Sequence, residues 1–265
     1  MRNRFILTPF LLDEPSPELE SLAQPDWHVN KPVLPNGGKQ QRMSALHQSI
    51  AEFVTNAVLQ GDRPVSIAGD CCTTLGILAG LQQAGLNPIL LWLDAHGDFN
   101  TWETTPSGFL GGMPLAMLVG RGEQTMAQAV GLYPFPESRV ILSDGRDLDP
   151  EEKQALVRSE VHHVVDVCSL PDHPLLTNPL YVHFDVDIIN PNDAPAMRYR
   201  AAGGPSSADL QAVFQFLSQT KQIVAVSMAT WTPQLDEDGR SRTVCMELLW
   251  LLIGQIGLLA GLGHQ

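Results

Sequence analysis

The strongest constraint on this chain is a repeated junction, a short apolar run of strand length that ends in acidic residues. Residues 64–68 lead into Gly69-Asp70, and residues 89–93 lead into Asp94-Ala95-His96-Gly97-Asp98. Residues 181–188 carry His183, Asp185 and Asp187. Residues 4–10, 139–142, 161–165 and 223–228 have the same apolar form, and the loop after 139–142 holds Arg146, Asp147 and Asp149. Between these runs the apolar spacing is helical. In residues 43–59 it falls on Leu46, Ile50, Phe53, Val54, Ala57 and Val58, and residues 73–83, 207–217 and 242–262 also read as helices. Residues 24–38 are rich in Pro, Asn and Gly and read as a long loop. Strands alternating with helices imply βαβ units and a parallel sheet. Continuous apolar strands imply helices on both faces. The expected fold class is therefore α/β, as one domain over residues 1–265. Ligands of such sheets lie beyond the carboxyl ends of the strands, where these acidic residues fall.

Composition narrows the function classes. With 16 Lys and Arg against 29 Asp and Glu, the net charge is −13, and no basic run offers a nucleic-acid surface. A hydrophobic content of 44% excludes a disordered chain. Residues 244–262 are nearly apolar and close to membrane-spanning length, but they contain Glu247, Gln255 and several glycines and read as a buried helix. Cys71, Cys72, Cys168 and Cys245 make no disulfide framework, and the first residues lack a secretory pattern. A cytoplasmic protein with a small-molecule partner, no nucleic acid and no membrane is expected.

Alternate residues of an extended backbone share a side, so Asp94, His96 and Asp98 are expected to converge, as are His183, Asp185 and Asp187. Taken alone, an Asp-x-Asp reads as a cap or a turn. Both groups together, at the ends of buried strands, read as a metal centre. Carboxylates gathered at low dielectric repel, so either some hold protons or cations are present. A mixture of His and carboxylate suits Mn²⁺, Fe²⁺, Ni²⁺, Co²⁺ or Zn²⁺ better than Ca²⁺.

These segments resemble the signature motifs of the ureohydrolases, the arginase, agmatinase and formiminoglutamase family. Asp94-Ala95-His96-Gly97-Asp98 fits the Asp-Ala-His-x-Asp signature, and Asp185-Val186-Asp187 fits the second Asp-x-Asp signature. Residues 107–114 resemble the family's substrate loop, and Gly145-Arg146-Asp147-Leu148-Asp149-Pro150 its Arg-Asp-x-Asp-Pro turn. The resemblance implies a three-layer α/β/α fold with a mainly parallel eight-stranded sheet. It also implies two Mn²⁺ ions per chain, bridged by hydroxide. One ion would take Cys71, Asp94, Asp98 and Asp185, and the other Asp94, His96, Asp185 and Asp187. Asp98 would accept a hydrogen bond from the nucleophile and pass a proton to the leaving amine. Asn100, Thr105, Ser107 and Asp149 would hold the head group of an α-amino acid.

The chain departs from the family pattern at four positions. Cys71 stands where the family has a His ligand, and Cys72 is one residue out of register. Gly111 stands where arginases carry a His in the substrate loop. Thr230, in Thr230-Trp231-Thr232-Pro233, stands where they carry a Glu that meets the guanidinium. His183 takes a position usually held by Ser. It reads either as a histidine packed at a strand end or as a group behind the ligands that could shuttle a proton. A buried cation without an anionic partner is costly, so loss of the Glu argues against a fully charged guanidinium substrate. Together the departures resemble the ureohydrolase branch that cleaves Nω-hydroxy-L-arginine to L-ornithine and hydroxyurea for D-cycloserine synthesis. The alternatives are an ordinary arginase or guanidino-acid hydrolase and, from another class, a metal-free protein that binds an amino acid. A monomer or small homo-oligomer is expected.

Overall fold

The computed structural model describes residues 1–255. Its strands are β1 Asn3–Thr8, β2 Phe10–Leu11, β3 Glu14–Pro15, β4 His28–Val29, β5 Arg63–Ala68, β6 Ile89–Asp94, β7 Val140–Asp144, β8 His162–Val164, β9 Leu180–Asp185 and β10 Ile223–Ala229. Its helices are α1 Lys39–Leu59, α2 Thr74–Gln83, α3 Pro114–Leu118, α4 Thr125–Ala129, α5 Pro150–Val157, α6 Ser207–Thr220 and α7 Arg240–Leu252. Eight strands make one sheet in the order β4-β1-β5-β10-β9-β6-β7-β8, and every neighbouring pair in it is parallel. β2 and β3 form a separate antiparallel hairpin.

The central strands are buried along their whole length, because both faces of the sheet are covered. Leu91, Leu93, Val182 and Phe184 point into a core shared with α6 and α7. Leu90, Trp92 and Tyr181 point into a second core shared with α1, α2, α3 and α4. β5 and β6 are consecutive in the main sheet, yet β10 and β9 lie between them. This crossover brings the carboxyl ends of β5, β10, β9 and β6 side by side.

Several expected boundaries move. The strand expected over 181–188 stops at Asp185, where a turn over Val186–Ile188 takes over. The first strand stops at Thr8, and Phe10 enters the β2–β3 hairpin. The long loop over 24–38 contributes β4 to the sheet edge. The last helix stops at Leu252, and Gly254 turns the chain with a φ of +74°. The rest of the expected helix, residues 256–262, lies outside the described residues. Among the described residues, no helix is long and apolar enough to cross a membrane. α5 is absent from the sequence reading, because it buries only Glu152 and Leu156 and so carries little apolar periodicity.

Candidate metal centre

The same local device ends three segments at the carboxyl edge of the sheet. The carboxylate of Asp94 accepts from the His96 amide at 2.7 Å, that of Asp185 from the Asp187 amide at 2.8 Å, and that of Asp70 from the Cys72 amide at 2.9 Å. These are Asx turns, in which an Asp side chain bonds the backbone two residues on and bends the chain. The convergence expected from strand alternation is therefore corrected. Asp94 and Asp185 close their strands, and His96, Asp98 and Asp187 reach the centre from the turns that follow. Asp98 sits in the left-handed region at φ +48°, as does Thr230 at +72° just beyond β10. Backbone strain of this kind in non-glycine residues gathers at functional sites.

The ligand atoms form two groups that share Asp94. Cys71, Asp94, His183 and Asp185 offer atoms that all lie within 4.8 Å of one another, and so do Asp94, His96 and Asp187. The Cys71 thiol donates to Asp185 Oδ2 at 2.9 Å, and the hydroxyl of Thr230 donates to Asp185 Oδ1. His96 Nδ1 lies 3.1 Å from Asp187 Oδ2 and 3.5 Å from Asp94 Oδ1. Trp92 Nε1 donates to Asp94 Oδ2 at 2.9 Å. Asp98 falls in neither group, although it lines the same cavity. Cys72 turns away, its sulfur 3.7 Å from the carbonyl of Leu110.

Electrostatics show what the cluster lacks. Burial, then repulsion from neighbouring carboxylates, pushes Asp98 and Asp185 well above the usual carboxylate range. The same causes bring Asp187 up to about 6. Burial opposes a charge on His96, but hydrogen bonds to Asp187 and Asp94 outweigh it and push this imidazole up to about 12. Burial holds His183 down at about 4, so it stays neutral. Asp98 Oδ2 and His183 Nε2 are buried with no hydrogen-bond partner. Orphaned acceptors among crowded carboxylates, with a thiol and two imidazoles at hand, fit divalent cations.

Above the cluster opens a cavity of about 180 Å³. Cys71, His96, Asp98, Asp185 and Asp187 line its floor, and Asn100, Thr105, Ser107, Asp149 and Thr230 line its walls. Asn100 Nδ2 donates to Asp149 Oδ2 at 2.9 Å, and Thr105 and Ser107 accept from the amides of Gly108 and Phe109. Those wall residues thus share one rim. His183 has no exposed surface and is not part of the lining. Its ring packs at a tilt against Trp92, with centroids 4.0 Å apart. At Gly111 an added Cβ would lie 2.3 Å from the ring of Phe109, which occupies the space a side chain there would need. That ring packs on Tyr199 at 5.1 Å.

The structure adds residues that the sequence reading misses. Glu152 lines the cavity and accepts from the amides of Phe99 and Asp149 at 2.8 and 3.1 Å, and burial lifts it to about 7. Gly97 passes so close to it that a Cβ would fall 2.6 Å from Glu152 Oε1. The signal in the sequence is the capping box, with Asp149 as N-cap and Glu152 three residues on. Arg198 and Tyr199 also line the cavity and carry no motif.

A parallel α/β sheet with this cluster at its carboxyl edge and a cavity above defines the class, a three-layer α/β protein with a candidate metal centre. Residues 25–254 match the profile of the arginase family, and the chain belongs to that family. It is thus an arginase-type amidinohydrolase by family, and the family depends on a pair of metal ions. The arginase of Bacillus subtilis (strain 168) is 27% identical over 246 residues, covering 87% of this chain and 83% of that protein. The arginase of Bacillus caldovelox is 28% identical over 225 residues, covering 79% and 74%. Among solved structures, the arginase of Bacillus cereus superposes with a TM-score of 0.82 at 22% identity, covering 96% of this chain and 99% of that one. That likeness shows the eight-stranded arginase-like fold.

Proposed function

We propose that this chain works as one metallohydrolase unit with two manganese ions, and that it cleaves Nω-hydroxy-L-arginine to L-ornithine and hydroxyurea. Cys71, Asp94, Asp98 and Asp185 would hold one ion, and Asp94, His96, Asp185 and Asp187 the other. When bound, the ions neutralise the carboxylates and supply a nucleophile made from water at neutral pH. The chain's own residues do the rest. Asn100, Thr105 and Ser107 donate to the substrate carboxylate, and Asp149 accepts from its ammonium. Asp98, on the cavity floor with a free oxygen, takes up a proton and returns it to the departing amine.

One observation carries the choice of substrate. The Thr230 hydroxyl lies on the cavity wall and is spent on Asp185, so position 230 sets no anion against a guanidinium. A hydroxyguanidine is much less basic than a guanidine and enters neutral, which removes the need for that anion. Arginases among the relatives favour a second reading, with L-arginine as substrate. Ornithine release from both compounds, assayed side by side, separates the two. The expected kcat/KM for the hydroxylated substrate is higher by more than about tenfold, or about 1.4 kcal/mol in the transition state. Equal rates, or a preference for arginine, would leave the second reading.

A further inference from the structure

We infer that His183 is itself a metal ligand, joining Cys71, Asp94 and Asp185 in the set that, with Asp98, holds the first ion. This rests on the two-metal reading above but assigns that ion a donor beyond those named there. A ring nitrogen of His183 lies within 4.8 Å of a ligand atom of each of the other three residues, and all four side chains are buried. The four come from different places in the fold: the turn after β5, the end of β6, and the body and end of β9.

The ring is fixed as a ligating histidine is fixed. Its Nδ1 lies 2.8 Å from Ser227 Oγ, which lies 2.8 Å from the hydroxyl of Tyr181. Trp92 packs against the imidazole with ring centroids 4.0 Å apart, and the same indole donates to Asp94. Metal-bound histidines commonly tie their second nitrogen to such a neighbour, which sets the tautomer and the ring plane. The other nitrogen, Nε2, is buried and has no hydrogen-bond partner. A buried ring nitrogen left unpaired is unfavourable, and a cation among these donors satisfies it.

The donor sets of the two positions then differ in kind. Cys71 and His183 give the first ion a thiolate and an imidazole beside its carboxylates, whereas Asp94, His96 and Asp187 offer the second no sulfur. Soft donors favour Zn²⁺ or Co²⁺ over Mn²⁺. The first position should therefore take Zn²⁺ in preference to the second.

Zinc titration of the full chain labelled with ¹⁵N-histidine tests this without turnover. The ring-nitrogen chemical shifts of the unaltered chain should show two imidazoles bound to zinc, His183 and His96. His183→Gln should remove one of them and weaken zinc binding at the first position at least about tenfold, while the signal that His96→Asn removes persists. A single bound imidazole that vanishes in His96→Asn, with His183→Gln leaving zinc affinity unchanged, would overturn the inference and keep the two-metal reading. A full chain that binds no zinc and no manganese would overturn both. The count of bound imidazoles in the unaltered chain decides the matter even if a variant fails to fold.

Discussion

At the residue scale, the two neighbouring cysteines separate cleanly. The Cys71 sulfur sits among carboxylates, while Cys72 faces the Leu110 carbonyl. Burial, together with the charges of Asp185, Asp98 and Asp94, pushes the Cys71 thiol up, so only a cation at that spot makes the thiolate favourable. Cys71→Ala is expected to lower manganese from two ions per chain toward one, and Cys72→Ala to leave it unchanged. Cys71→His should retain two, since an imidazole is also a competent donor. Metal analysis after gel filtration checks all three variants. Full occupancy in Cys71→Ala would show that the sulfur takes no part.

At the element scale, the cap of α6 sets local stability without touching the site. Helix α6 begins at Ser206, whose side chain accepts from the Asp209 amide at 3.2 Å while the Asp209 carboxylate accepts from the Ser206 amide at 2.9 Å. Ser206→Ala should cost about 1 kcal/mol. In a chain of this size that lowers Tm by about 2–4 °C. Activity per folded molecule should stay the same, because Ser206 does not line the cavity. A thermal melt paired with a turnover assay reads both. The Asx turns at Asp94 and Asp185 belong to the same scale but differ in consequence, since those carboxylates face the candidate metal centre as well as the backbone.

At the scale of the whole molecule, the buried acids tie stability to pH. Burial raises Asp70 and Asp187 to about 6 and Glu152 to about 7, and pushes Asp98 and Asp185 well above the usual carboxylate range. His96 stays protonated up to about 12, against 6.5 in an unfolded chain. Above pH 7 the chelated folded protein therefore binds more protons than the unfolded one, and its stability falls as pH rises. The two histidines lowered by burial, His47 to about 3 and His183 to about 4, act with the opposite sign, but only below about pH 6.5, where the unfolded imidazole is protonated. Chelated protein should thus melt at a lower temperature at pH 8.5 than at pH 7. Manganese-loaded protein should lose that slope, because cations replace the protons. Melting curves at both pH values, with and without chelator, make the comparison. A chelated protein as stable at pH 8.5 as at pH 7 would count against protons holding this cluster together.

The sequence by itself determined the parallel α/β fold and the strand ends beside which Cys71, Asp94, His96, Asp98, Asp185 and Asp187 stand as candidate ligands. The strands and the acids at their ends were legible because each depends on neighbours a few positions away, whereas Cys71 stood out only through the family resemblance. Apolar runs set the buried strands, and an Asp at the strand end forms its own turn with the residue two places on. Tertiary structure alone decided what those residues face. Strand crossover places β10 between β5 and β9, so Thr230 meets Asp185 across 45 residues of chain, and the ring of His183 meets Ser227 across 44. Glu152 reaches Phe99 across 53 residues, from a helix whose mostly polar sequence gives no apolar period to read. Periodicity and turn chemistry are properties of a chain segment, whereas a binding site is a property of the segments that packing brings together.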